Sequence, residues 1–316
     1  MSPRPILLIG PTIEPTFGHT VRALHREGRD IEVMDLGDFW SDAVLTGTLE
    51  APESIVIETR GKEYRLGDYR SFYTRLVDLR QSPDPTPVAA EWGRFRLLSA
   101  ALAAQPALVV NRPGAGDSNA SKPYQTALIE RHGLRVPRSL STNIPARARE
   151  FIASCPRGAI YKSNSGMRSI VQAVGEADLG RFDALRNCPV LFQERIWGDD
   201  VRVHVVGDAC HAVRIRSAEV DYRYDRSGNV VSEPFELTPA AAEACVRVTR
   251  ALGLSFSGID LLLDADGELH CLEVNPMPGY SGYDHTLGGE ISRSLGALLH
   301  AAGNSQDRAS PVCSLG

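Results

Sequence analysis

The stretch 255–284, SFSGIDLLLDADGELHCLEVNPMPGYSGYD, constrains this chain more than any other. Two apolar runs flank Asp266-Gly267, a dipeptide that favours a two-residue hairpin turn. With that turn, Ala265 faces Glu268, and counting back sets Asp260 opposite Glu273. Paired residues share a face, with Cβ atoms about 5 Å apart. Asn275 lies two positions past Glu273 and returns to the same side. Two carboxylates that close need a shared proton or a cation between them. Asp, Glu and an amide oxygen form a hard donor set suited to Mg²⁺ or Mn²⁺. Pro276, Pro278 and Gly279 end the strand and keep the Asn side chain at its rim. On the residues alone, a cation site and a solvated acidic face both stay open. Leu261, Leu262, Leu263 and Leu272 make an idle exposed pair the less natural reading. Asp264, Asp266 and Glu268 read as turn chemistry. Cys271 is expected on the acidic face, as lining and not as a ligand.

The rest of the chain narrows the function classes. A length of 316 residues fits two or three domains, or one with insertions. Against 39 Asp and Glu stand 34 Lys and Arg, so the formal charge of -5 argues against a polybasic nucleic-acid binder. No apolar run reaches the roughly 18 residues of a membrane span. The opening MSPRPILLIG is too short in its apolar part for a secretory signal. Six cysteines without a CxxC pair suggest reduced thiols, no zinc site and no disulfide frame, so a cytoplasmic protein is expected. Of the 34 basic residues only Lys62, Lys122 and Lys162 are lysine, leaving 31 arginines. A lysine retained in so arginine-rich a chain raises the question of its chemistry, chance being the other answer.

The order of elements predicts an α/β protein. Pro5 to Gly10 reads as a buried parallel strand, Gly18 to Glu27 as a helix and Asp30 to Asp35 as a second strand. The intervening GPTIEPTFG is not the GxGxxG dinucleotide fingerprint. A hairpin at 54–66, a strand stub at 72–74, a helix at 88–104 and a closing strand at 107–110 complete a first domain, 1–110. Two helices and short, mostly antiparallel strands follow. A helix from Pro239 after Thr238, the acidic hairpin and a last helix from Gly288 close the fold. The expected divisions are 111–190 for a lid subdomain, 191–302 for a C-terminal subdomain and 303–316 for a flexible tail.

Three further segments carry charge in a pattern. Strand 159–162 delivers Lys162 to the loop Ser163-Asn164-Ser165-Gly166-Met167-Arg168. Backbone N–H groups of such a loop can wrap phosphate oxygens, with Lys162 and Arg168 as point charges. Lys122 opens a helix, where anions are favoured. An ordinary hairpin connection and a surface lysine stay open as alternatives. VLFQERI, followed by WGDDVRVHVVGD, sets Asp199, Asp200, Arg202 and later Arg214 among apolar strands, as a lined cleft would.

Taken together, Lys122, Lys162 and GIDLLLDADGELHCLEVNPMPG resemble the ATP-grasp superfamily over about 111–299. The likeness is greatest to the ribosomal-protein glutamate ligases and the ATP-grasp ligases that modify ribosomally made peptides. It implies an ATP-grasp fold with an N-terminal Rossmann-like pre-ATP-grasp lobe. It implies ATP and two Mg²⁺ ions, with Mn²⁺ as a substitute, the metals on Asp260, Glu273 and Asn275. Lys122 and Lys162 match the phosphate-holding lysines, and Ser165, Gly166 and Arg168 the closing loop. Gln193, Glu194, Arg195 and Ile196 match the strand that meets adenine. Asp200 and Arg202 match an Asp-x-Arg pair, and Asp199 an acid near ribose. Arg214 resembles the arginine that steadies the transferred phosphoryl group. The implied chemistry is carboxylate activation as an acyl phosphate, then attack by an amine of an amino acid or peptide. A second asparagine usual in the glutamate ligases is missing from IRSAEVDYRYDRSG, which puts glutamate in doubt as the substrate.

Arg75 ends a first-lobe strand, where α/β sheets present ligands. It is expected as a substrate clamp, with a structural ion pair as the other reading. Tyr280, Ser281, Tyr283, Asp284 and His285 form a polar loop after the acidic hairpin and are expected to touch substrate. Tyr222 and Tyr224, flanking Arg223, are read as a gate. Neither nucleic acid nor membrane is an expected partner, and a homodimer or homotetramer follows by analogy alone. A kinase and a non-catalytic nucleotide-binding protein are the competing functions.

Overall fold

The computed structural model describes residues 4–77, 88–164, 171–216 and 230–302, with the side chains of 88–91 left aside. Ser165, Gly166, Arg168, Tyr222, Arg223, Tyr224 and the tail 303–316 lie outside the described residues. The chain forms two compact units: Met1–Gly114 with Gly279–Gly316, and Ala115–Pro278. Among the described residues, no helix is long and apolar enough to cross a membrane.

The first unit is built on β1 (Ile6–Gly10), α1 (Pro15–Arg26), β2 (Ile31–Asp35), α2 (Leu36–Asp42), β3 (Val44–Thr46), β4 (Val56–Thr59), β5 (Lys62–Arg65), β6 (Ser71–Thr74), α3 (Val88–Ala104) and β7 (Leu108–Val110). Four strands pair in parallel in the order β2-β1-β6-β7. All of β1 is buried, as expected of a central strand with both faces covered. The stub expected at 72–74 is the equally buried β6 beside it. On one side Leu7, Ile9, Met34 and Phe72 pack with Phe39, Leu98 and Leu102. Lys62, one of the three lysines, is structural: its ammonium meets Glu32 at 3.0 Å and lies 4.7 Å from the Tyr64 ring centre.

The second unit holds α4 (Lys122–Arg131), β8 (Ser139–Thr142), α5 (Pro145–Ala153), β9 (Ala159–Lys162), β10 (Gln172–Ala173), α6 (Glu176–Leu179), β11 (Val190–Glu194), β12 (Gly198–Val206), β13 (Ala209–Arg216), β14 (Val231–Phe235), α7 (Pro239–Ala251), β15 (Phe256–Asp264) and β16 (Leu269–Asn275). A small antiparallel sheet runs β10-β9-β11-β8, and a larger one β14-β13-β12-β15-β16. Val201, Val203, Val205, Ile259, Leu261 and Val274 point to one face of the larger sheet. There they pack with Ile129 of α4 and Ala244, Cys245 and Val248 of α7. Alternation sends Asp200, Arg202, Asp260 and Glu273 to the other face. Thr238 caps α7 by accepting from Ala241 N at 3.3 Å, with Pro239 at the first helical position.

The chain then returns to the first unit through α8 (Ser281–Thr286) and α9 (Glu290–Ala301). This corrects the expected 191–302 subdomain. The reason is burial: Ile291, Leu295 and Leu299 are fully enclosed, and Ser71 Oγ donates to Leu299 O at 2.7 Å. Asp284 anchors the return. Its carboxylate accepts from Ser292 N at 3.0 Å and Ser292 Oγ at 2.5 Å, and lies 2.6 Å from His19 Nε2. Burial alone would push this carboxyl up. The bonds from Ser292 and His19 outweigh it and hold the pKa below its ordinary value. The stabilisation is therefore present at neutral pH and lost as pH falls below the usual carboxylate range. Asp284→Ala is expected to lower unfolding free energy by about 3 kcal/mol at neutral pH, from the buried bonds lost. Urea unfolding should show that gap narrowing in acid.

Candidate active site

The acidic hairpin reaches its pairing by a route the turn rule does not foresee. Asp264 N donates to Glu268 O at 3.0 Å, so Ala265, Asp266 and Gly267 form a three-residue loop. Gly267 takes the left-handed backbone that such a loop needs, at φ 81°. The pairs that follow are Leu263 with Leu269 and Leu261 with Cys271, one step off the two-residue register. A bulge between Asp260 and Leu261 then admits Leu272 as an extra residue and restores Asp260 opposite Glu273. Loop and bulge offset each other. The bulge also moves Cys271 into the core beside Leu261, correcting its expected place on the acidic face. Asp264 does act in the turn: its side chain accepts from Asp266 N at 3.0 Å and Glu268 N at 2.9 Å.

Each facing carboxylate has its own cation. Arg202 is paired with Asp260 across β12 and β15, and its Nη1 bonds Asp260 Oδ1. Its Nε lies 3.5 Å from His204 Nε2. Gly258 makes this possible, because a Cβ there would collide with the Arg202 guanidinium and come within 2.6 Å of Pro278. Lys122, in the first turn of α4, places Nζ 2.9 Å from Glu273 Oε2. Asn275 pairs with Gly258 at the strand end, and its Oδ1 accepts from Met277 N at 2.9 Å. Among the described residues no three His, Cys, Asp or Glu side chains cluster as metal ligands. Two carboxylates and an amide oxygen make the donor set here. Side-chain cations already stand at both carboxylates, so the residues fit a divalent ion.

Lys162 enters from the small sheet. Its side chain is 8% exposed and Nζ donates to Gln193 Oε1 at 3.1 Å. Burial, then the Lys122 charge, pull its pKa down to about 8 against the opposing pull of Glu273. The loop after β9 is tied to α4, with Lys122 N donating to Asn164 O at 3.0 Å. On the adjoining strand Glu194 Oε1 accepts from Arg138 N at 3.0 Å. Arg195 stacks on Trp197, its guanidinium carbon 3.5 Å from the ring centre. Ile196 is half-buried.

Other expected site residues are held elsewhere. Arg214 pairs with Val201 on the core face of the large sheet, opposite the face of Asp260 and Glu273. Its Nε donates to Asp199 Oδ2 at 2.7 Å, and Arg216 Nε approaches the same oxygen at 3.5 Å. Strand parity thus sets Arg214 on the face away from Asp260 and Glu273, where Asp199 meets two arginines. Asp200 does share the acidic face. In the first unit Arg75 forms a two-pronged ion pair with Glu14, both contacts at 3.0 Å. Tyr280 is fully buried, its hydroxyl 2.7 Å from Thr20 Oγ1. Tyr280 and the buried Asp284 therefore hold the fold together. Ser281 and Tyr283 are half-buried and His285 is exposed. Sequence reasoning missed Gly258 and Gln125. The first is legible only as a small residue two before the aspartate, and the second carries no local signal.

A family model described as the RimK-like ATP-grasp domain matches residues 120–299. The chain belongs to this family. Its fold is accordingly the ATP-grasp fold with an N-terminal pre-ATP-grasp lobe. A curated protein called "Probable alpha-L-glutamate ligase" from Xanthomonas euvesicatoria pv. vesicatoria (strain 85-10) is 30% identical over 178 residues, 53% of this chain. That match spans 60% of the relative's own length. A solved structure of the ATP-grasp ligase PsnB with minimal precursor, Mg and ADP superposes with TM-score 0.77 at 30% identity, covering 93% of this chain and 97% of that one. Another, of PsnB with precursor peptide PsnA2 and AMPPNP, has TM-score 0.77 at 29% identity, covering 95% and 98%.

Lys162 yields a pH prediction. A lysine with a lowered pKa is charged below that value and neutral above it. If Lys162 holds nucleotide phosphate in its charged form, as proposed below, ADP affinity should fall as pH rises through about 8. Calorimetric titrations from neutral to alkaline pH test this, a flat profile being the contrary result.

Proposed function

We propose that this chain is an ATP-dependent carboxylate–amine ligase whose substrate is an amino acid or peptide. The observation that carries the reading is the facing pair Asp260 and Glu273, each held by its own cation, in one unit with Lys162. The bound Mg, ADP, AMPPNP and precursor peptide of the PsnB structures support it.

In this reading Asp260, Glu273 and Asn275 hold divalent metal, and a pair of Mg²⁺ ions suits the donor set. When bound, such ions offset the charge on phosphoryl oxygens. Lys122 and Lys162 bind nucleotide phosphates, together with Ser165, Gly166 and Arg168 of the loop between β9 and β10. The backbone of Gln193 to Ile196 meets adenine. Arg202, buried and fixed by Gly258, supplies positive charge that needs no reorganisation. Ser281, Tyr283 and His285 are the remaining candidates for substrate contact.

The reaction transfers the terminal phosphoryl group of ATP to a substrate carboxylate. A free carboxylate is a poor electrophile, and phosphorylation gives it a leaving group. An amine then attacks the acyl carbon, phosphate departs, and an amide or peptide bond remains. Water would consume the acyl phosphate, so the cleft must exclude it.

Trapping tests the reading. Enzyme, ATP, Mg²⁺ and a set of candidate acids are incubated with hydroxylamine, and hydroxamate is measured. Formation of hydroxamate is the expected result. A stable phosphorylated product instead would make the enzyme a kinase. Asp260→Asn and Glu273→Gln should each lower the trapping rate by at least about a hundredfold, given the cost of disturbing metal ligation.

A further inference from the structure

Among the described residues β16 is the outer strand of the large sheet, and no further strand pairs with its outward backbone groups. An open edge of this kind presents a row of unpaired backbone N–H and C=O groups. Here it is closed piecewise. Arg135 O accepts from Cys271 N at 2.7 Å near the hairpin end. Farther along, the side chain of Gln125 does what a neighbouring strand would do. Its Nε2 donates to Val274 O at 2.8 Å, and its Oε1 accepts from Val274 N at 3.0 Å. Gln125 is 3% exposed, so both bonds are sheltered from water. The primary amide is the side-chain group that reproduces a peptide's donor and acceptor together.

Val274 stands between Glu273 and Asn275. Its own side chain is fully buried in the core, while its neighbours point to the acidic face. Fixing the backbone of Val274 therefore fixes the origin of both neighbouring side chains. The bulge at Leu272 makes the clamp the more necessary, since the ladder is irregular just before Glu273. Gln125 also lies three residues after Lys122, on the same side of α4. One helix thus carries the cation that meets Glu273 and the amide that holds the backbone beside it.

We infer that Gln125 is a positioning residue for the metal-binding carboxylate and amide, acting through the backbone of Val274. The inference rests on the functional reading above. It does not require Gln125 to touch metal, nucleotide or substrate. A glutamate at this position keeps the acceptor and loses the donor. A methionine keeps the length and loses both.

Mn²⁺ binding in the presence of ADP, followed by loss of the free-ion electron paramagnetic resonance signal, tests it without turnover. Q125M should need about tenfold more Mn²⁺ for half-saturation, the usual scale for partners behind a metal ligand. Q125E should fall between Q125M and the wild type. I129V thins the packing of the same helix on the same sheet and leaves the clamp intact. It should bind Mn²⁺ as the wild type does, whatever it loses in melting temperature. Wild-type binding by Q125M, an equal loss in I129V, or failure of both Gln125 variants to fold would overturn the inference. A wild-type protein that takes up no Mn²⁺ would overturn the functional reading as well.

Discussion

Two carboxylates held across one strand pair repel each other, and most of the second unit answers that repulsion. Asp260 and Glu273 stand opposite one another in β15 and β16. Their side chains are only 26% and 29% exposed, so water screens the repulsion poorly. Cations must come to them. Arg202 arrives from the neighbouring strand and needs the space that Gly258 leaves. Lys122 arrives from a helix that must be docked on the sheet edge, and Gln125 docks it. The glycine, the arginine, the helix start and the amide clamp are one set of consequences.

How much of this was legible in the chain depended on whether the signal was local. Buried β1 announced itself as an apolar run ending in glycine, and α7 by Thr238-Pro239. The facing of Asp260 and Glu273 was also legible, though by an argument with two compensating errors. The turn holds three residues where two were counted, and Leu272 bulges to restore the pairing. Pairing close to a turn depends on turn chemistry, which a dipeptide signals only in part. A bulge depends on what the sheet packs against, and no dipeptide carries that.

Arg214, Tyr280 and Asp284 are held by partners away from the acidic pair, for two different reasons. Arg214 has the right type and a suitable separation from the hairpin, but strand parity points it to the core face, where Asp199 meets it. Shifting one residue along a strand reverses the side it serves. Tyr280 and Asp284 sit in a glycine-flanked polar loop that reads as a ligand surface. Yet the chain returns at that point to the first unit, and Thr20, His19 and Ser292 meet them there. Polarity in a sequence does not say whether the partner is a ligand or a distant part of the same chain. Gln125 is the converse. A lone glutamine inside a helix looks like surface, and only the open edge of β16 gives it a task.

The use of lysine follows from the same electrostatics. With 34 basic residues and only three lysines, the chain uses guanidinium nearly everywhere. Two of those three lysines stand at the acidic pair. Arginine suits Asp260, because a planar, permanently charged fork can be locked beneath the sheet face by Gly258. The opposite property is wanted at Glu273 and beside Gln193. There, on the proposed function, a cation that meets a carboxylate would yield to a divalent ion and then meet phosphate. A compact ammonium on a flexible stem can change partners, and burial can bring its pKa to about 8, as at Lys162. A guanidinium keeps its charge under the same burial and would resist leaving the carboxylate. The division of labour between Arg202 and the two lysines is thus set by which charge has to stay and which has to move.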